Sequence, residues 1–353
     1  MQLLPTTVLA VVVWVTVHAR AFDNATKGLY WSDLFTNFRV DTGSVLLFIV
    51  ALFALAALLQ PFDVAAVRLL EGYWEGNRVG DTAANLFASR HRRRVRKADW
   101  ALNAKQELQS KKECERSAKG NGPDGEQNRP VDEQTSTRCE EWRIGQRADR
   151  ARKVRPMYPP GVHEVLPTML GNILRAAERR AGERYYLPTV ETLPRVYAHL
   201  SKRLGAAYDA SVDTLDAAAM MTISTAAAAV VSVAAFYDDP GLRWVPVVLA
   251  VTSALSYRGA VVAAAQYGMY MDIAYDFHRF DLIKALHLDL PASTKEEQEL
   301  GDKLEEFWKA TNAQDAKDVW DETIKYWHYE EHARPDSSSH MTDDKQPHST
   351  GYL

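Results

Sequence analysis

Thr42 to Phe62 reads TGSVLLFIVALFALAALLQPF and holds no charged residue. Ala217 to Tyr237, AAAMMTISTAAAAVVSVAAFY, holds none either, and Trp244 to Met271 holds one, Arg258. About 20 apolar residues in a helix cross the hydrocarbon of a bilayer. Backbone buried in lipid must satisfy its own polar groups, so runs of this length and character demand helix. The N-terminal block, MQLLPTTVLAVVVWVTVHARAF, is uncharged up to His18 and reads as a further span. HARA before Phe22 would suit a signal peptidase, but no cation precedes the apolar core, as a secretory signal requires. A retained helix is therefore favoured, with a cleaved signal as the alternative. The expected fold is all-α: four transmembrane helices with a helical cytoplasmic domain.

Charge sets the orientation. Lys and Arg are retained on the cytoplasmic side of a membrane protein. The segment Asp63 to Asp216 holds 28 of the chain's 42 Lys and Arg residues, whereas Phe22 to Asp41 holds only Lys27 and Arg39, and the turn Asp238 to Arg243 only Arg243. Both termini are thus expected in the cytoplasm of a cell-membrane protein. The densest run is ASRHRRRVRK, Ala88 to Lys97. Arg90, Arg92, Arg93, Arg94, Arg96 and Lys97 read as contacts for anionic lipid, each worth about 1 kcal/mol near a charged headgroup surface. Nucleic acid is the lesser reading, because the run lacks interleaved aromatic residues and a reader motif.

Five regions follow: a first helix pair with a short external loop (1–62), a basic and mostly helical cytoplasmic segment (63–213), a second transmembrane pair (214–271), an acidic helical region (272–334) and a disordered tail (335–353). Within the basic segment, Val64, Val67, Leu70 and Trp74 are spaced as one helical stripe, and a second helix covers Thr82 to about Ser117. Ala118 to Arg138 has little to bury and reads as a disordered loop. Helix resumes over Cys139 to Lys153. RPMYPPGVHEVLP reads as an extended connector, because proline disfavours helix in the residue before it. TMLGNILRAAERRAGERYY reads as an amphipathic helix, and a further helix runs from Leu193 directly into the third span. Beyond the fourth span the helix is expected to continue to Pro291. Ser293 with Glu296, or Thr294 with Glu297, offers a capping box for the next helix. Leu300, Leu304, Phe307 and Thr311 form its stripe, and Trp320, Ile324 and Trp327 mark another. From Asp272 onward there are 19 acidic and nine basic residues, so tail and basic segment are expected to attract each other.

Three segments, LLQPFDVAAVRLLEGYW, LPTMLGNILRAAERRAGERYYLPTVETLPRVYAHL and YDFHRFDLIKALHL, resemble an uncharacterised family of multi-pass membrane proteins from high-GC Gram-positive bacteria. The resemblance covers about two thirds of the chain and implies a bacterial membrane setting. It implies no activity, and no residue role is carried over from it.

Candidate chemistry is sparse. Cys114 and Cys139 lack metal-knuckle or redox-pair spacing and are expected to be free thiols. HYEEH matches the H-x-x-E-H pattern of inverted zinc proteases, with His328 and His332 as ligands. A third ligand would have to come from the 21 residues that remain, so a solvated helix end is the favoured reading. His278 and His287, near Asp276 and Asp281, could form a small polar site, but a structural role is favoured. Arg258 is the one charge inside an apolar span, about 21 Å from Trp244 along a helix. It is expected to lie roughly level with Thr222 and to pair with Asp216. The polar candidates around it are Thr222, Ser224, Thr225, Ser232, Thr252, Ser253, Ser256 and Gln266. The third span is rich in Ala, Ser and Thr, which lets helices approach closely, within the chain or in a homo-oligomer.

No cofactor is expected. The function read from these features is a non-enzymatic scaffold that presents its charged cytoplasmic domain to a protein partner. The alternative is a small transporter or channel subunit with Arg258 in its pathway. A membrane enzyme ranks below both.

Overall fold

The computed structural model describes residues 63–74, 78–119, 131–235 and 243–310, with Thr7, Ala10, Val50, Phe53 and Ala54 as isolated positions. The first apolar helix pair, the Trp320 stripe, His328, His332 and the tail all lie outside the described residues. What is described is helical, with no strand. The α-helices are α1 (Asp63–Glu71), α2 (Arg78–Lys119), α3 (Val131–Val154), α4 (Met169–Ala181), α5 (Thr189–Tyr197), α6 (Lys202–Ala235), α7 (Trp244–Ala285) and α8 (Thr294–Lys309). Short 3-10 turns cover Arg155–Met157, Val162–Glu164 and Glu183–Tyr185.

α2 and α3 form an antiparallel hairpin. Ion pairs join Asp99 to Arg155 (2.6 Å), Lys105 to Asp149 (3.0 Å) and Lys112 to Glu141 (2.7 Å). Advances of six and seven residues on α2 match retreats of six and eight on α3, which fixes the register. Ala98, Ala101, Ala148 and Ala151 are buried, and these small side chains let the two helices close up. α3 begins at Val131, so it takes in the last eight residues of the stretch expected to be a disordered loop. The high share of Glu, Gln, Arg and Lys, all good helix formers, outweighs its polarity once α2 is alongside.

The proline-rich connector is held as two turns rather than extended chain. The Arg155 guanidinium donates to Asp99 and to the carbonyls of Tyr158, Pro159 and Pro160. Val95, Tyr158 and Val165 are buried together beneath it.

α6 and α7 run antiparallel. Ser253 Oγ donates to the Thr222 carbonyl (2.9 Å), and Tyr208 donates to the Tyr267 hydroxyl (2.9 Å). Fourteen residues separate the two contacts on each helix, so the register holds across the pair. Both helices are long and apolar enough to cross a membrane. α4 lies parallel to α7: Met169 and Leu170 N–H donate to Tyr257, a Cβ on Gly268 would meet Ala177, and Arg180 pairs with Asp272 at 2.8 Å. One side of the stretch Gly259 to Met271, through Ala260, Ala263, Ala264 and Gly268, is therefore covered, and α4 brings charge to that level.

Two expected continuities are broken. The helix expected to run from Leu193 into α6 stops at Tyr197, three residues past Pro194, and α6 restarts behind Ser201, whose hydroxyl accepts from Leu204 N–H. α7 stops at Ala285 rather than Pro291. His287 adopts a left-handed conformation (φ 56°), Leu288 N–H reaches back to Ile283 and His287 N–H to Lys284, which closes the helix end. α8 starts as expected, with Ser293 Oγ accepting from Glu296 N–H and the Glu296 carboxylate accepting from Ala292 N–H. Arg279 pins α8 to α7 by pairing with Glu297 (2.9 Å) while lying over the Tyr185 ring (4.1 Å). Tyr275, Met271, Leu282, Ile283, Val196, Leu288 and Leu304 form the core where α5, α6, α7 and α8 meet.

Candidate functional site

Charged and polar groups concentrate where α1, α4, α6 and α7 meet. The organising residue is Thr168, the N-cap of α4. Its hydroxyl accepts from Gly171 N–H (3.0 Å) and donates to the Glu71 carbonyl at the end of α1 (2.8 Å). Asn172, fully buried, donates to the carbonyls of Leu166 and Thr168 and accepts from Leu166 N–H. The Tyr257 hydroxyl takes the next two N–H groups of α4. Together they satisfy a helix start that would otherwise bury orphan donors.

Two carboxyls of this layer are desolvated. Burial pushes Glu71 above the usual glutamate range, Glu178 adds in the same direction and Arg68 opposes. Burial also raises Glu178, against the pull of Arg175 and Arg179. A carboxyl whose pKa is higher folded than unfolded costs stability while ionised. That cost is present at neutral pH, fades as pH falls through the raised value and is gone below about 4.3, the unfolded value. Glu71→Gln should therefore stabilise the protein at neutral pH and flatten the gain in melting temperature on going from about pH 7 to about pH 5. Thermal unfolding in detergent checks this, and an unchanged pH slope would show that Glu71 does not carry it.

On the far side of α4 a cavity of about 370 Å³ is lined by Arg175, Glu178, Arg179, Glu191, Glu305 and Lys309. Its cations are already matched: Arg175 with Glu178 (3.4 Å), Arg179 with Glu164 and Glu183, Lys309 with Glu305. Such a groove is a set of closed ion pairs, and it brings together no nucleophile with a base. Among the described residues no group of three His, Cys, Asp or Glu is placed to hold a metal.

The residues singled out in the sequence are placed as follows. The α6–α7 register sets Arg258 level with Ala217, beside Asp216, a little over one turn from the expected level of Thr222. The two are close in depth. Arg258 sits in the exposed row Trp244, Val248, Val251, Leu255, Arg258 and Val262, while Ala260, Ala263, Ala264 and Gly268 form the buried side of α7. Asp216 is half-buried and acts electrostatically on Tyr267. Of the span hydroxyls, Thr222, Thr225 and Thr252 donate to carbonyls four residues back on their own helices.

In the basic run Arg90, Arg93, Arg94, Arg96 and Lys97 are exposed, whereas Arg92 is half-buried with its Nε enclosed and unpartnered. His91 belongs to the packing: it hydrogen-bonds Tyr158 (2.9 Å), and burial, aided by Arg94 and Arg90, holds its pKa below the usual histidine value. Cys114 and Cys139 are exposed free thiols. The hairpin register brings them level, but each lies two residues from a residue of the Lys112–Glu141 pair, on the outward side of its helix. His278 pairs with Asp281 (2.9 Å) and His287 caps α7, both structural roles. The Asn172 network was missed in the sequence, where an asparagine one turn into an amphipathic helix gives no sign of burial. Comparison with family models, curated proteins and solved structures finds no match.

Proposed function

We propose that the chain is a multi-pass membrane protein, with α6 and α7 as its second span pair, that serves as a non-enzymatic scaffold for a protein partner in the cytoplasm. What carries this reading is the depth at which charge begins. Outward of Asp216 on α6 and of Arg258 on α7, the described residues 217–235 and 244–257 hold no charge. The nineteen residues of α6 span about 28 Å, close to the hydrocarbon thickness, and the fourteen of α7 between Arg243 and Arg258 about 21 Å. Inward of that level both helices continue, α7 by 27 residues past Arg258, into the body built with α4, α5 and α8. The inner boundary then lies at Asp216 and Arg258, not at Met271, and Gly259 to Met271 belongs to the cytoplasmic layer. With the N-terminal apolar block, retained, and the block 42–62 both crossing ahead of α1, there would be four spans and both termini in the cytoplasm.

Two further observations favour a scaffold over a transporter. Thr222, Thr225 and Thr252 close their hydroxyls on their own helices, and Ser253 spends its own on the neighbouring backbone, so these four do not converge on a path. Trp142 stands 66% exposed on the polar hairpin, available to a partner, and tryptophan is enriched among the residues that carry binding energy at interfaces. A photo-cross-linking side chain placed at Arg138 in the full-length protein should give one discrete adduct in the cells that make it. Trp142→Glu should abolish the adduct. Absence of any adduct, with solute flux in proteoliposomes that Arg258→Ala removes, would replace the scaffold with the transporter reading.

A further inference from the structure

The basic face of α2 has a geometry of its own. Val79, Leu86, Arg90, Arg93, Lys97 and Trp100 follow spacings of three, four and seven, so they share one helical face. All six are exposed, Leu86 at 64% and Trp100 at 61%. The opposite side carries Ala88, Val95 and Ala98, which are buried. None of Arg90, Arg93, Arg94, Arg96 and Lys97 forms an ion pair among the described residues. Elsewhere in the body Arg155, Arg175, Arg179, Arg180, Arg184 and Arg279 are all paired with carboxylates. An unmatched cationic row flanked by exposed apolar side chains has the make-up of a helix that lies in a lipid interface.

The placement of α2 supports this. Near its start, Gly80 packs on the Trp74 carbonyl, and the Trp74 indole donates to Leu69 of α1 (2.8 Å). Leu70, next along α1, packs against the buried cluster that joins Leu170 of α4, Leu215 of α6 and Ala260, Ala263 and Ala264 of α7. Fifteen residues after Gly80, Val95 packs with Tyr158, Val165 and Met169, and Met169 N–H donates to Tyr257. Those fifteen residues are about 22 Å of helix. Through α1 and α4, both ends of this stretch reach the layer that holds Leu215 and Tyr257, the neighbours in sequence of Asp216 and Arg258.

We propose that α2 from Val79 to Trp100 is an interfacial anchor that lies along the cytoplasmic surface of the membrane and binds anionic lipid headgroups through Arg90, Arg93, Arg94 and Lys97, with Leu86 and Trp100 entering the acyl boundary. This rests on the reading of α6 and α7 as spans, because only then does the level of Arg258 coincide with headgroups. Attraction to the surface weakens roughly fivefold for each such basic residue removed. The anchor fixes the azimuth of the α2–α3 hairpin relative to the bilayer, so the charge of the inner leaflet would set how the hairpin is presented.

The test uses the full-length protein with Cys114 and Cys139 replaced by Ser and a nitroxide at Leu86→Cys or, separately, at Leu255→Cys in α7. Each is reconstituted in phosphatidylcholine alone or with phosphatidylglycerol. In the phosphatidylglycerol bilayers the Leu86 nitroxide should lose contact with a water-soluble nickel reagent and gain contact with oxygen. In phosphatidylcholine it should remain water-exposed, as it should in both lipids when Arg90, Arg93, Arg94 and Lys97 are all changed to Gln. A Leu86 probe that stays water-exposed in phosphatidylglycerol, while the Leu255 probe reports lipid, would overturn the anchor and leave the spans intact. Protection of Leu86 in both lipids that vanishes on removal of residues 311–353 would overturn it differently, by showing that the acidic C-terminal segment covers this face. A water-exposed Leu255 probe would overturn the span reading and the anchor together.

Discussion

Asn172→Asp should destabilise the protein by about 4 kcal/mol at neutral pH, far more than the exchange of one amide for one carboxylate costs on a surface. Asn172 is fully buried and its amide donates to the carbonyls of Leu166 (2.8 Å) and Thr168 (2.5 Å). A carboxylate there has nothing to donate and sets a negative charge against two carbonyl oxygens. Asn172→Ala, which only removes the bonds, should cost about 2 kcal/mol. The buried acid would hold its proton more tightly when folded than when unfolded, so the Asp variant should regain stability as pH falls, because the protonated acid can donate one bond. The Ala variant should show no such recovery. Thermal unfolding of the detergent-solubilised protein at two pH values separates the two, and equal losses at both would show that the network is not what holds the start of α4.

Gly171→Ala should cost about 3 kcal/mol, for a different reason. A Cβ at this position would lie 2.0 Å from the Glu71 carbonyl oxygen and 2.9 Å from its carbon. Both obstacles are backbone, so α1 and α4 must separate and the Thr168–Glu71 hydrogen bond with them. Gly145→Ala is the matched control. A Cβ there meets nothing within 4 Å, and Gly145 lies within a helix. Alanine in place of glycine in a helix interior is worth about 1 kcal/mol, so this change should stabilise. Opposite signs for two Gly→Ala changes in one protein would show that the α1–α4 contact, not helix propensity, decides the first.

Much of the architecture was legible because it rests on composition over long windows. The uncharged runs around Ala217 and Trp244 mark two helices long enough to span, α4 announces itself by periodicity and α2 by its density of Arg, Lys and Glu. The start of α8 was legible from Ser293 and Glu296, since capping is local chemistry. Helix ends were harder. α7 stops at a left-handed His287, and nothing between Ala285 and Pro291 carries the glycine that usually signals such a stop. The break before α6 had its signals in Pro194 and Ser201, but the apolar spacing of Leu193, Tyr197, Leu200 and Leu204 runs straight through them. Arg258 shows the remaining limit. Its depth was set by the length of the turn before Trp244 and came out a little over one turn from the register that Ser253 and Thr222 define. Its direction depends on which side of α7 packs on α4, and α4 is distant in sequence. The same long-range contact buries Asn172, which is why that residue looked ordinary.

On the proposed reading, the described helices sit against a membrane whose inner boundary lies at Asp216 and Arg258. A single-cysteine scan of the exposed side of α7, at Val248, Leu255, Met269 and Phe277 in a Cys114→Ser, Cys139→Ser background, tests it most directly. The side chains of these four residues are all substantially exposed, Leu255 at 63% and Phe277 at 73%, so packing within the chain does not account for protection. In native membranes, an impermeant maleimide should leave positions 248 and 255 unlabelled and should reach 269 and 277 only when the cytoplasmic side is opened. Labelling of 255 as fast as 277, or protection that extends through 269, would contradict the account.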